Sequence, residues 1–427
     1  MKKAVITAVL AAVFTGATAQ ISLDECQHLA RENYPLIHQY GLIEKSADYS
    51  ISNAQKAYLP QVTLALQATY QSDVASFPER LMSLYQQAGV DMKGLNRDQY
   101  KMALEVNQLI WDGGLTKAGE RVSQEESNVA IQSVEKDMYA LRERINQLYF
   151  GILILGEQAH QNDVLQELLQ SNYAAVDALV SNGVALAGDL NAIRVEQLTT
   201  YQQRRQIESM SKAYRQMLSV MTGREIGDST LFEKPAAALS ADSEIDRPEL
   251  RLFDAQTALY DAQKRSILAS TMPRLGLFAQ GFYGNPGLNL FKDMTENRWT
   301  WNYIAGVRLS WNLGSFYTKD GNLRKLSLAQ QRVDNQKEIF VFNTRLQQIQ
   351  QQTAIDKMSR IMADDDEIIR LRTSIRKASE AKYSNGTITV SDLLRDISAE
   401  NQAALNKSIH EIEWLKNVYE LKTTINR

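Results

Sequence analysis

The chain has 427 residues, 44% of them hydrophobic and 23% charged, with a formal net charge of −3. That balance is the ordinary one of a folded protein and provides no polybasic field of the kind that engages nucleic acid. With 21 Gly and 7 Pro, the sequence is poor in the turn residues of a β-sandwich or α/β sheet and suits long uninterrupted helices.

The first residues read as a secretory signal. Lys2 and Lys3 precede the apolar run AVITAVLAAVF (4–14), and Ala17-Thr18-Ala19 offers an A-x-A cleavage site before Gln20. The run falls short of the roughly 20 residues needed to span a bilayer, so 1–19 is expected to be removed. The single Cys26 cannot form an internal disulfide. It lies too far past the cleavage point to be a lipidated first residue and reads as a small apolar helix position. Nowhere later does an 18-residue apolar run occur, which leaves a closed β-barrel as the form in which this chain could cross a membrane.

A helix is expected over 22–57, broken near Pro35. After Pro60 the sequence QVTLALQATYQ alternates: Val62, Leu64, Leu66, Ala68 and Tyr70 share one face, while Gln61, Thr63, Gln67 and Thr69 share the other. This is a strand, 61–72, with two sorted faces. A second strand, 99–111, sets Tyr100, Met102, Leu104 and Val106 against Lys101, Ala103, Glu105 and Asn107. A helix then runs uninterrupted over 115–180. Its apolar positions Val134, Met138, Leu141, Ile145, Leu148, Ile152 and Leu155 step by 4 and 3, a heptad seam that predicts packing along a neighbouring helix. The turn SNGVALAGDL leads into a helix at 188–222, and 224–245 is read as an irregular linker.

The same plan then repeats: helix 246–272, strands 274–283 and 300–312, long helix 319–383, turn, helix 391–424. The strand at 274–283 is less regular, because Phe278 and Phe282 share a face with Gln280. Pro60, Leu64, Gln67 and Tyr70 match Pro273, Leu277, Gln280 and Tyr283 at an offset of 213, and Pro35 matches Pro248 at the same offset. LIWDGG (109–114) matches LSWNLG (309–314), and SNGVALAGDL (181–190) matches SNGTITVSDL (384–393). The order of these pairs predicts a tandem duplication, 20–223 and 246–427. Each long helix would extend about 100 Å at 1.5 Å per residue, and in each copy the two shorter helices end to end nearly equal it.

Strands of this length suit a tilted membrane strand of about 9–11 residues. Tyr70, Tyr100, Trp111, Tyr283, Trp299, Trp301, Tyr303 and Trp311 lie near strand ends, where an aromatic girdle belongs. Four strands cannot close a barrel, since spanning barrels begin at about eight, and open edges in hydrocarbon leave backbone groups unsatisfied. The membrane reading therefore requires a cyclic oligomer, a dimer or a trimer. The alternative is a soluble periplasmic coiled-coil protein, an adaptor or structural protein, with hairpins resting on a helical core.

LARENYPLI, the paired AYLPQVTL and STMPRLGL, LIWDGG, RPEL and the two SNG turns together resemble the TolC-like outer membrane efflux proteins, the outer membrane factors, over essentially the whole mature chain. The resemblance implies a mainly α fold with a long α-helical periplasmic barrel. Each chain would give four strands to a homotrimeric 12-stranded transmembrane β-barrel set in outer membrane lipid. It implies the passive exit duct of a tripartite efflux or type I secretion system. Its partners would be an inner membrane transporter and a periplasmic adaptor, the membrane fusion protein, which opens the duct at its tip. Carried over by position, Gly183 and Gly386 are tip glycines, Asp189 and Asp392 acidic positions of the constriction, and Tyr383 its tyrosine. The sequence departs at Ile388, where the family has a gate arginine, and at Arg395, where it has a second acidic residue. Arg194 and Arg395 are candidate substitute partners.

The same turns have a local reading as well. Gly183 and Gly386 suit left-handed helix ends, and Asp189, with Ser391 or Asp392, suits capping from just before the next helix. The four histidines, His28, His38, His160 and His410, lack the spacing of a metal site and are read as solvated. Asp364-Asp365-Asp366-Glu367 lacks the pattern of a calcium loop and is read as a hydrated helix face. With no phosphate-binding loop or nucleophile motif, neither an enzyme nor a cofactor is expected.

Overall fold

The computed structural model describes residues 20–90, 94–236 and 244–426. The expected signal segment, 1–19, and residues 237–243 of the expected linker lie outside the described residues. The chain is mainly helical (71%). Among the described residues no helix is long and apolar enough to cross a membrane.

By its internal contacts the chain divides into two units. One is built from Met1–Tyr40, Ser133–Arg251 and Lys337–Arg427, the other from Gly41–Gln132 and Leu252–Gln336. Each draws on both halves of the sequence.

The first unit begins with β1 (Gln20–Ile21) and α1 (Leu23–Asn33). Ser22 accepts a hydrogen bond from the Glu25 amide (3.2 Å), and Asp24 and Glu25 occupy the first turn, where carboxylates meet the positive end of the helix dipole. Tyr34, before Pro35, is extended (φ −69°, ψ 127°) and ends the helix, as a residue preceding proline favours. α4 (Leu115–Ser181) and α8 (Ser315–Ser384) continue into this unit, joined by α5 (Ala187–Thr222), β4 (Leu231–Phe232) and α9 (Val390–Ile425). All seven residues of the expected α4 seam are buried, none more than 7% exposed. Around them Ile21, Leu23, Cys26, Ala30, Tyr149 and Phe150 form a core with Leu218, Ile226, Ile412 and Leu415.

Two devices fix β1 and α1 there. β1 pairs in parallel with β4, and the Tyr149 hydroxyl lies 2.9 Å from the Ile21 carbonyl and 2.7 Å from that of Glu233. Asn33 Nδ2 donates to the Val220 and Met221 carbonyls at the end of α5 (3.1 and 3.3 Å), which closes on Gly223 at φ +67°. A Cβ on Gly223 would come within 2.6 Å of Asn33 Oδ1. Cys26 is fully buried and its thiol is pushed up to about 12, chiefly by desolvation. The histidines are not uniformly solvated: His410 Nδ1 lies 2.9 Å from Oδ2 of Asp365, a residue only 5% exposed. The acidic run is thus a hydrated face in part only. Asp365 turns inward, while the neighbouring Asp366 pairs outward with Lys407.

The second unit holds a four-stranded antiparallel sheet of β2 (Gln61–Tyr70), β3 (Asp98–Trp111), β5 (Arg274–Asn285) and β6 (Thr300–Ser310), in the order β2-β3-β5-β6. α2 (His38–Gln55) leads into it, and α6 (Pro248–Ser270) leads into β5. The segments between strand pairs contain α3 (Glu79–Gln87) and α7 (Leu290–Glu296). They meet through Phe77, which lies 6.1 Å from Tyr85 and 5.8 Å from Phe291 between ring centroids.

Candidate functional site

Residues directly opposed in an antiparallel ladder share a face of the sheet. Val62 opposes Val106, Leu64 opposes Leu104 and Leu66 opposes Met102; in turn Val106 opposes Ala279, Leu104 opposes Gly281 and Met102 opposes Tyr283. Ala279, Gly281 and Tyr283 oppose Ala305, Tyr303 and Trp301. One face is thus apolar across all four strands. The other carries Gln61, Thr63 and Gln67 on β2, Lys101, Glu105 and Asn107 on β3, and Asn302, Arg308 and Ser310 on β6.

The apolar face is exposed, while the polar face is buried only at its centre: Gln61, Thr63 and Gln67 on β2 and Arg308 and Ser310 on β6 are exposed. Leu66 is 76% exposed, Trp301 80% and Tyr303 82%, whereas Ala103 and Phe282 on the polar face are 4% and 5% exposed. A soluble protein buries the apolar face of an antiparallel sheet and wets the other.

The irregular strand is explained by its neighbours. Phe278 and Phe282 do lie on the polar face, but under cations: Lys101 Nζ sits 4.2 Å from the Phe282 centroid and the Arg308 guanidinium carbon 4.6 Å from that of Phe278. A Cβ on Gly306 would lie 3.1 Å from the Phe278 ring, so the glycine gives that ring its bed. A bulge between Leu109 and Trp111 adds a further point that alternation did not reveal. Without it Trp111 would fall on the polar face by parity; with it Trp111 opposes Leu275 on the apolar face.

Of the candidate girdle residues, four come together at one end of the sheet. Tyr100 stacks on Trp299 (6.0 Å), and Tyr283 contacts Trp299 (5.3 Å) and Trp301 (5.0 Å). Tyr70, opposite Asp98, is at that end too, and Tyr303 is one same-face position further in. Trp111 and Trp311 mark the other end, where Trp311 donates its ring N–H to the Thr271 carbonyl at 2.9 Å.

At that end the strand-to-helix turn of LIWDGG is organised by Asp112, a residue sequence reasoning gave no role. It is 3% exposed, and Oδ1 accepts from the amides of Gly114 (2.9 Å) and Leu115 (3.1 Å) and from the Tyr58 hydroxyl (2.9 Å). Oδ2 accepts from the Thr116 amide at 2.6 Å. Burial opposes its charge, but the hydrogen bonds from Thr116, Tyr58 and Gly114 prevail and hold the carboxyl below the usual carboxylate range. Gly113 and Gly114, at φ +70° and +86°, supply the left-handed turn that brings the amides round.

In the first unit, the two SNG turns have the same backbone geometry. Gly183 (φ +72°) and Gly386 (φ +69°) each donate to the carbonyl three residues back, Val180 and Tyr383, at 3.0 and 2.9 Å. Val184 and Thr387 donate to Leu179 and Lys382 at 2.8 and 3.0 Å, a Schellman-type closure. The aspartates do cap, but from inside the next helix. Asp189 and Asp392 occupy its third position and reach back to the amides of Leu186 and Thr389, each at 3.3 Å. Thr389, rather than Ser391 or Asp392, is the N-cap of α9, and its Oγ1 accepts from the Asp392 amide at 3.2 Å.

Tyr383 and Asp189 come together: the hydroxyl points at Asp189 Oδ2 across 3.5 Å. Partial burial and then the Asp189 charge raise the Tyr383 pKa. Arg194 does not join them; it donates to Gln197 at 3.0 Å. Arg395 pairs with Asp392 (3.1 Å) and Asp396 (3.8 Å), and the hydrogen bonds from Thr389 with the Arg395 charge lower the Asp392 pKa. Below the turns Leu169, Val176, Ile193, Val390, Leu393 and Ile397 form a buried core. Among the described residues no group of three or more His, Cys, Asp or Glu is placed to hold a metal ion.

No family model matches the sequence, and no curated protein matches it. Solved structures do. The chain is similar to the outer-membrane channel OprN at a TM-score of 0.67 and 14% identity, over 94% of this chain and 89% of that one. It is similar to the outer membrane protein VceC of Vibrio cholerae at 0.65 and 14%, over 94% of each chain. It is also similar to the open state of the Neisseria gonorrhoeae MtrE outer membrane channel at 0.64 and 14%, over 94% and 88%. The fold of this chain is therefore that of the TolC-like outer membrane factor channels.

Proposed function

We propose that the chain is one subunit of an outer membrane export duct, a passive conduit rather than an enzyme. The observation that carries this reading is the sheet whose apolar face is exposed across all four strands, with the polar side chains gathered on the other face. Moving a Val, Leu or larger side chain from water into hydrocarbon gains roughly 1.5–3 kcal/mol, so this face has lipid as its solvent and the polar face has water. The aromatic residues at both strand ends fit the girdles of such a band, and the shared fold of outer membrane channels agrees with the location.

β2 and β6 are the outer strands of the sheet, and their free edges call for partner strands in a bilayer. Three copies give the 12-stranded barrel. On α8, Ile339, Phe342, Leu346 and Ile349 are all at least 52% exposed and step by 3 and 4, a second seam suited to a neighbouring helix. We read 20–223 and 246–427 as a tandem duplication joined by 224–245, whose long helices line a periplasmic tunnel. The SNG turns form its tip, with Gly183, Asp189, Tyr383, Gly386, Asp392 and Arg395 at the constriction. Ile388 removes the gate arginine, and the Tyr383–Asp189 contact supplies a closure within one chain. A periplasmic adaptor opens this tip and an inner membrane transporter supplies the cargo, in tripartite efflux or type I secretion.

Cell fractionation tests the reading. The protein is expected in the outer membrane, released only by detergent, and to conduct ions in planar bilayers. Recovery from the soluble periplasm without detergent would refute it.

A further inference from the structure

We propose that the barrel lumen is a cationic filter favouring anions, with Lys101 and Arg308 as its selectivity-determining residues. This rests on reading the polar face of the sheet as the lumen wall.

The charged residues on that face of the described strands are Lys101, Arg274, Arg308 and Glu105, an excess of two positive charges per chain. The single carboxylate does not cancel the nearest cation: Glu105 accepts from Asn107 Nδ2 at 3.0 Å, while Lys101 donates to Gln280 at 3.1 Å. Lys101 and Arg308 are held against the wall. Each is opposed on β5 by a glycine, Gly284 and Gly276 respectively. The missing side chain lets each lean across to the next aromatic ring on that strand, 4.2 and 4.6 Å away. Cation–π contact fixes the position of a charge without neutralising it.

Phe282 and Phe278 are four residues apart, about 13 Å along the strand, more than a Debye length of about 8 Å at physiological ionic strength. With three chains the cations form two successive positive rings across the middle of the polar wall, backed by aromatic rings and lipid rather than by water. Fixed charge on a low-dielectric wall raises the local concentration of its counter-ions. A cargo carrying carboxylate, sulfate or phosphate groups is then drawn through the barrel, and a polycation is held back.

The test uses the full-length protein in planar bilayers under a tenfold KCl gradient, with and without Asp189→Ala so that the periplasmic tip does not set the current. The expected result is a reversal potential showing anion preference. Lys101→Glu with Arg308→Glu is expected to move the chloride-to-potassium permeability ratio by about threefold or more toward potassium, with Lys101→Gln and Arg308→Gln between. The glutamine pair keeps the test open if the glutamates prevent insertion. A cation preference in the unmodified protein in both backgrounds, or a ratio that neither pair changes, would overturn the filter while leaving the duct intact. Absence of conductance from the unmodified protein and from Asp189→Ala alike overturns the duct reading, and the filter with it.

Discussion

Replacing Asp112 with alanine strikes the junction where strand β3 becomes helix α4. Four donors converge on this carboxylate: the amides of Gly114, Leu115 and Thr116 and the hydroxyl of Tyr58. Losing a helix N-cap costs about 0.5–2 kcal/mol, and stranding a buried donor about 1–3 kcal/mol more, so a loss of about 2–4 kcal/mol per chain is expected. Asp112→Asn keeps one acceptor oxygen and is expected to lose about 1 kcal/mol, the lower part of the cap range. Urea unfolding from lipid vesicles, followed by tryptophan emission, measures both; Trp111 adjoins the site. The pH dependence has a definite sign. The folded carboxyl titrates below its ordinary value, so its contribution is complete above about pH 4 and disappears as pH falls through the depressed folded value. The gap between the unmodified protein and Asp112→Ala must therefore close in acid. A loss under about 0.5 kcal/mol, below the range for caps, or a gap that persists unchanged in strong acid, would refute this account.

Asp189→Ala removes both the reach to the Leu186 amide and the Tyr383 contact, and is expected to raise the closed-state conductance of the purified protein. Tyr383→Phe, which leaves the cap intact, is expected to do the same, and unchanged conductance in both would reduce Asp189 to a helix cap. Tyr149→Phe deprives the Ile21 and Glu233 carbonyls of their shared donor. Limited proteolysis is expected to cut near residues 20–22 and 231–236 sooner, with the strands unaffected; equal cutting rates would show that the β1–β4 pair does not depend on this hydroxyl.

Features with a local period were legible in the sequence. The alternation after Pro60 and the Val134–Leu155 seam each repeat a physical requirement several times within one element, so the strand and its faces, and the helix and its buried side, could be read directly. Gly183 and Gly386 were legible because few other residues accept left-handed angles. What escaped notice depends on partners far away in the chain. The bulge before Trp111 is defined only against Leu275, and β1 and β4 are two-residue strands too short to show any period. Asp112 looked like a motif letter because its four donors are invisible until the turn is closed. Phe278 and Phe282 do share the face of Gln280, as the alternation predicts, but the reason is not local, since the cations that cover them lie on other strands. The aspartates of the turns were placed one helical turn too early, because a capping box and a simple N-cap differ by only three residues.

The pairing of β3 with β5 has a consequence for how the molecule is made. Tyr100 meets Asn285, 285 − 100 = 185 positions further along the chain, whereas β2 and β3 are joined by residues 71–97 alone. The first hairpin can therefore assemble early, but its second edge stays open until nearly three hundred residues of chain have been made. Contacts so distant in sequence form slowly. Throughout that interval the Val62–Leu64–Leu66 face and an unpaired strand edge are presented to water, the combination most prone to wrong association. The assembly of this sheet is in this respect a problem of timing, since one two-stranded ribbon must wait, its edge unpaired, until its counterpart has been made.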